Sequence, residues 1–136
     1  LFHYVVFMRE EVRRLWLQAL EDLETAKVML ENRRYYASAF FSHQAAEKAL
    51  KAIFIHLKRE ISPKTHNLLE LLEHLNIDDE EVVDAAMELN PEYVVSRYPD
   101  AANGIPAQMY NERIAKERYK KALRIVEYCR ERLEEK

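Results

Sequence analysis

Glycine and cysteine are almost missing from this chain. Its 136 residues include one glycine, Gly104, and one cysteine, Cys129. A single cysteine excludes a disulfide within the chain and the Cys-rich zinc patterns. A reducing, cytoplasmic setting is the expectation, with Cys129 a small buried apolar residue on the last helix. One glycine leaves no Gly-rich phosphate loop and no G-x-S-x-G elbow for a nucleophilic serine. Long apolar runs are lacking too. Nothing approaches the roughly 20 residues that span a bilayer, so no membrane association is expected. The opening LFHYVVFM is apolar but short, lacks a basic start and runs straight into REEVRR, which argues against a signal peptide. Met8 is a candidate initiator, and residues 1–8 read as an extension or as the start of the first helix. Nor does charge of one sign dominate. Lys and Arg number 21 against 24 Asp and Glu, a net charge of −3, which argues against coating nucleic acid through bulk charge.

What is abundant favours helix: charged residues make up 33% of the chain, and Glu, Lys and Arg are good helix formers. The first helix is expected from about Arg9 to Asn32, because Val12, Leu15, Ala19, Leu23, Ala26 and Leu30 recur at three- and four-residue steps. A second is expected from about Tyr35 to Lys58. Ala39, Ala46, Leu50, Ile53 and Leu57 fall on one of its faces, and Phe41, Ala45 and Ala52 on another. The remaining arc collects Gln44, Lys48 and Lys51, with Glu47 at its margin and Ala37 and Phe40 near its start. Pro63 breaks the pattern. A short third helix spans about Asn67 to Leu75, capped by Thr65 or Asn67, and a fourth about Asp79 to Leu89, capped by Asp78 or Asp79. Residues 90–110 hold three of the four prolines, the only glycine and three tyrosines. They read as an irregular loop that packs against something. The last helix is expected from about Asn111 to Leu133, striped by Ala115, Tyr119, Ala122, Val126, Cys129 and Leu133. The fold class is therefore all-α, an up-and-down helical bundle of three long helices and two short ones.

Candidate chemistry is sparse. His43 and Glu47 are four residues apart, as are Glu70 and His74. Neither pair has the three-residue step of carboxylate-bridged di-iron bundles, and both read as surface hydrogen-bonding pairs. No metal and no cofactor is expected. Arg59 and His66 supply an arginine that can hold phosphate and a histidine that can move a proton. Arg97 and Tyr98 supply a phosphate clamp next to a stacking ring.

Three segments, in this order, resemble the HEPN domain family (higher eukaryotes and prokaryotes nucleotide-binding domain): YYASAFFSHQAAEKALKAI at 35–53, PKTHNLLELL at 63–72 and SRYPD at 96–100. The resemblance runs from about Leu15 to Leu133. It implies a single HEPN-like helical domain over residues 9–136, often homodimeric through helices that include the second. It implies a partner, since members are commonly paired with a small nucleotidyltransferase chain and many act in toxin–antitoxin or defence systems. Active members are ribonucleases with an R-x(4–6)-H motif near the start of the last long helix. Here no histidine follows His74, and Asn103, Gln108 and Asn111 stand where one would be sought. The favoured expectation is a non-catalytic interaction module, the partner of a nucleotidyltransferase in a toxin–antitoxin-like pair. In that reading Gln44, Lys48 and Lys51 line a groove at a dimer seam, with Arg97 and Tyr98 at its mouth, and bind nucleotide or RNA phosphate. The alternative is a metal-independent endoribonuclease in which Arg59 holds the scissile phosphate and His66 is acid or base.

Overall fold

Acidic residues at the front and a left-handed turn at the back delimit the first helix. Glu10 and Glu11 occupy the first turn of α1, Glu10–Glu31, where the helix dipole favours negative charge. The helix ends in a Schellman turn: the Arg34 amide donates to the Met29 carbonyl at 2.8 Å and the Arg33 amide to Leu30 at 3.2 Å. Arg33 has φ 63°, the left-handed conformation that such a turn needs. With so little glycine, these positions fall to other residues, Arg33, Arg59, Asn76 and Asn103. Gly104 serves a close approach instead, because a Cβ there would stand 2.9 Å from Met109 Sδ.

The computed structural model describes residues 8–135, so the expected extension over residues 1–7 lies outside the described residues. After α1 come α2 Tyr35–Lys58, α3 Leu68–His74, α4 Glu80–Leu89, α5 Glu92–Val95, α6 Pro99–Ala102, a 3-10 turn at Pro106–Gln108, and α7 Glu112–Glu134. No strand occurs among the described residues. The caps resolve the alternatives left by the sequence. Asn67 Oδ1 accepts from the Leu69 and Glu70 amides, Asp79 caps α4 and Asn111 caps α7. Thr65 hydrogen-bonds the Asn67 amide and Glu70 instead.

The three long helices α1, α2 and α7 form the bundle, and α2 lies at its centre, packed against both of the others and against α3 and α5. Its small residues Ala45, Ala49 and Ala52 are fully buried and allow close helix approach. Trp16, Leu50, Ile53, Leu71, Leu89 and Ile125 fill the space between. A second helix apolar on two faces suggests a partner chain, yet this fold buries it within one chain, from Ser38 to Ile55. That motive for a dimer is removed. Leu57 differs from expectation and stays exposed.

Residues 90–110 are more ordered than an irregular loop. Pro99 and Pro106 start short helical turns, because proline presets the backbone angle at a first helical position. The buried carboxylate of Glu92 anchors the segment. It accepts from the Tyr110 hydroxyl and, at 2.7 Å, from Arg118 Nε. Burial and that carboxylate push the Tyr110 phenol well above its ordinary pKa.

Two substitutions test this packing by urea denaturation. Leu50→Ala is expected to cost roughly 2–5 kcal/mol through lost burial and a cavity. Arg118→Ala is expected to cost roughly 3–5 kcal/mol, because it strands a buried carboxylate. Losses under about 1 kcal/mol for both, the scale of an ordinary surface substitution, would contradict the assignment of these groups.

Candidate functional site

The polar arc of α2 is largely an interior network. Lys48 pairs with Asp22 of α1 at 2.7 Å and donates to Gln44 Oε1 at 3.1 Å. Gln18 donates to the same Asp22 carboxylate. Lys51 pairs with Glu47 at 3.1 Å. Both lysines therefore face internal carboxylates and do not converge on one open position. Helix α2 turns its neighbouring residues fully inward. His43 is completely buried and Glu47 nearly so, which corrects the reading of this pair as a surface contact. By contrast, Glu70 and His74 do form an exposed pair at 3.8 Å. Among the described residues no three His, Cys, Asp or Glu side chains are placed to hold a metal ion.

His66 meets this network from the segment that follows Pro63. Its Nδ1 lies 2.9 Å from Glu47 Oε1, and its backbone carbonyl accepts from His43 Nε2 at 3.0 Å. The segment is held in place from both sides. Asn67 caps α3, and Asn90 at the end of α4 accepts from the Leu68 amide at 2.8 Å while its side-chain amide donates to Asn67 Oδ1 at 3.2 Å. Pro91 and α5 follow directly, so the same junction sets Tyr93. Its ring stacks on His66 with centroids 3.9 Å apart and planes at 13°.

Arg97 completes the cluster. Its Nε donates to the Tyr93 carbonyl at 2.7 Å. Its guanidinium carbon lies 4.7 Å from the Phe40 ring centroid, 4.6 Å from Tyr93 and 4.9 Å from Tyr98. An arginine among aromatic rings is held by cation–π attraction while most of its N–H donors stay free. Arg97 makes no ion pair among the described residues, and it is exposed, as is Tyr98. The segment thus folds back over α2 onto Phe40, a residue that the helical spacing already sets in the polar arc.

Of the sequence-derived candidates, Arg97 and His66 both pack on the Tyr93 ring and Tyr98 lies beside Arg97, with Lys51 linked to His66 through Glu47. Gln44 and Lys48 lie on the side toward Asp22. Arg59 does not join them. It ends α2 with φ 55° and lines a separate cavity with Arg9, Ile55 and Ile61. Sequence reasoning misses Tyr93 and the burial of Glu47. The signal for Glu47 is its four-residue step from His43 on a helix flanked by alanines.

Electrostatics sharpen the roles. Burial lowers the His43 pKa from 6.5 to about 4, with Glu47 opposing that shift. His43 is therefore neutral near pH 7, and because a carbonyl can only accept, its proton sits on Nε2. Burial pushes the Cys129 thiol far up, which suits an inert packing residue.

The HEPN domain family matches residues 12–135. A protein of Methanocaldococcus jannaschii named "Putative toxin MJ1304" is 29% identical over 133 residues, covering 88% of this chain and 86% of its own. The crystal structure of TT1696 from Thermus thermophilus superposes with a TM-score of 0.82 at 34% identity, covering 91% of this chain and 99% of its own. The crystal structure of ST0689, described as an archaeal HEPN homologue, superposes with a TM-score of 0.79 at 30% identity, covering 93% and 100%.

The buried neutral His43 predicts an acid-labile contribution to stability. As pH falls from 6.5, the unfolded chain binds a proton that the folded chain refuses until about pH 4. Stability should fall across that window and level off below it, by about 3 kcal/mol in total from this group. His43→Gln, which retains an amide donor, should flatten this limb in denaturation curves taken from pH 7 to 4. Parallel limbs in the two proteins would refute it.

Proposed function

The chain belongs to the HEPN domain family, and on that premise we propose that it is a toxin-type HEPN module that binds a nucleotide or RNA phosphate at the Arg97–His66 face and pairs with a nucleotidyltransferase chain. One observation carries the ligand reading. Arg97 is exposed, held on three aromatic rings, and free of any ion pair among the described residues. A fixed guanidinium with free donors suits a phosphate, and the neighbouring exposed Tyr98 offers a ring on which a base can stack. The toxin name of the archaeal relative supports the toxin-type reading. The partner chain rests on the family resemblance alone.

The lysines contribute less than their number suggests. Lys48 and Lys51 are neutralised by Asp22 and Glu47, so their substitution acts on stability before it acts on binding. A second reading has its own observation. His66 is half-exposed and is oriented by the buried Glu47 carboxylate, the arrangement of a general acid or base. With Arg97 in place of Arg59 as the phosphate contact, this geometry suits metal-independent RNA cleavage. The ribose 2′-hydroxyl would lose its proton to the imidazole and attack the adjacent phosphorus. The bond to the 5′-oxygen would break, and the leaving oxygen would take up a proton.

Titration calorimetry with short single-stranded RNA and with ATP, at low salt, tests the site. Arg97→Ala should weaken binding roughly ten- to a hundred-fold, the equivalent of one charge-assisted contact, while Lys48→Ala should change it much less. No heat with either ligand would remove this reading. Cleavage of the RNA in EDTA that His66→Ala abolishes would establish the second reading, whereas binding without cleavage leaves the first. Coexpression with an adjacent-gene nucleotidyltransferase should yield a complex, and separate elution of the two chains counts against the pairing.

A further inference from the structure

Residue 66 is gripped twice by α2, at positions one helical turn apart. His43 holds its carbonyl at 3.0 Å and Glu47 holds its ring Nδ1 at 2.9 Å. The ring itself lies flat on Tyr93. The His66 side chain is 51% exposed, whereas the Glu47 side chain is 6% exposed. A buried charged group is thus serving an exposed one. Tethering residue 66 does not by itself call for a charge, because a buried ion pair can often be replaced by apolar side chains of similar volume without loss of stability. What the arrangement does achieve is chemical. Glu47 also takes the Lys51 ammonium at 3.1 Å, and a carboxylate paired with a cation can only accept from the imidazole. The His66 proton is then on Nδ1, and Nε2 carries the lone pair.

We propose that Glu47 is a positioning residue that holds His66 in the Nδ1–H tautomer, so that Nε2 is presented as the atom that takes a proton from a ligand hydroxyl. The proposal rests on the Arg97–His66 face being the ligand site and says what His66 asks of its ligand: a hydroxyl that gives its proton to Nε2. His43 contributes by fixing the backbone at residue 66. It is neutral with its own Nε2 proton committed to the carbonyl, so it does not compete for the Glu47 carboxylate, whose Oε1 stands 3.9 Å from His43 Nδ1. Gln44 Nε2 faces that same His43 Nδ1 at 3.3 Å, which fits an acceptor there. A neutral Nε2 lone pair would repel a bare phosphate oxygen, so the tautomer distinguishes a proton acceptor from a second phosphate clamp.

Nitrogen-15 NMR of the free protein in mildly alkaline buffer reads the tautomer directly, with the His66 signals assigned by their loss in His66→Ala. The expected result is a pyrrole-like shift for Nδ1 and a pyridine-like shift for Nε2. In Glu47→Met, which keeps volume but removes the acceptor, the Nδ1–H fraction should fall severalfold toward the Nε2–H form. Glu47→Gln retains an acceptor oxygen and should restore part of it. A wild-type His66 in the Nε2–H form overturns the proposal, and so does a folded Glu47→Met with an unchanged tautomer. If Glu47→Met does not fold, the wild-type and Glu47→Gln spectra decide the matter. Because no ligand is present, failure here is separate from failure of RNA or nucleotide to bind.

Discussion

The carboxylate of Glu47 joins the central helix to a segment that the chain keeps apart from it. It sits within α2, takes the ammonium of Lys51 one turn later, and reaches the imidazole of His66 across the break made by Pro63. A carboxylate in the interior costs several kcal/mol of desolvation unless its oxygens are paired, so its partners have little freedom. The segment from residue 59 to 67 cannot drift without exposing that cost. His43 adds a second tether one turn earlier. Tyr93, set by the Asn90–Asn67 junction, stacks on the His66 ring held there, and Arg97 packs on Tyr93 in turn.

This dependence explains why the positive charges of the molecule are unequal. Lys48 and Lys51 lie on the helix at the centre of the bundle, and burial forces each to a carboxylate. Arg97 lies on a surface segment and is held by ring faces, which attract a cation without neutralising it. A charge retained by cation–π contact keeps its hydrogen-bond donors for another molecule. The same reasoning sets Arg118 apart. It is absorbed by Glu92 and Glu88 and acts as the rivet that holds residues 90–110 against α7.

Much of the architecture was legible from spacing. The three long helices and their apolar stripes are local matters, set by side chains within one or two turns, and the caps of α3 and α4 were narrowed to two candidates each, of which the structure uses Asn67 and Asp79. Residues 90–110 were less legible. Single-turn helices are too short to show a period, and what orders them is Glu92 meeting Tyr110 and Arg118 across 18 and 26 residues.

The candidate site divides along the same line. Sequence by itself determined that this is an all-α bundle, that Gln44, Lys48 and Lys51 share one arc of α2 with Phe40, and that Arg97 and Tyr98 are available on a proline-bounded segment. It also brought out His66 and its spacing from Arg59. Only the tertiary structure decided which arginine lies against the same ring as His66. Residues 59 and 66 lie close in the chain, yet Arg59 ends α2 in a left-handed turn and lines a separate cavity, while residue 97, thirty-one positions from His66, packs on the Tyr93 ring that His66 stacks on. Only the tertiary structure decided that Glu47 is buried and the lysines are paired. The physical reason is that helical periodicity fixes the direction of a side chain around its own axis. Whether that direction meets water, an apolar neighbour or an opposite charge depends on elements that pack there from elsewhere in the chain.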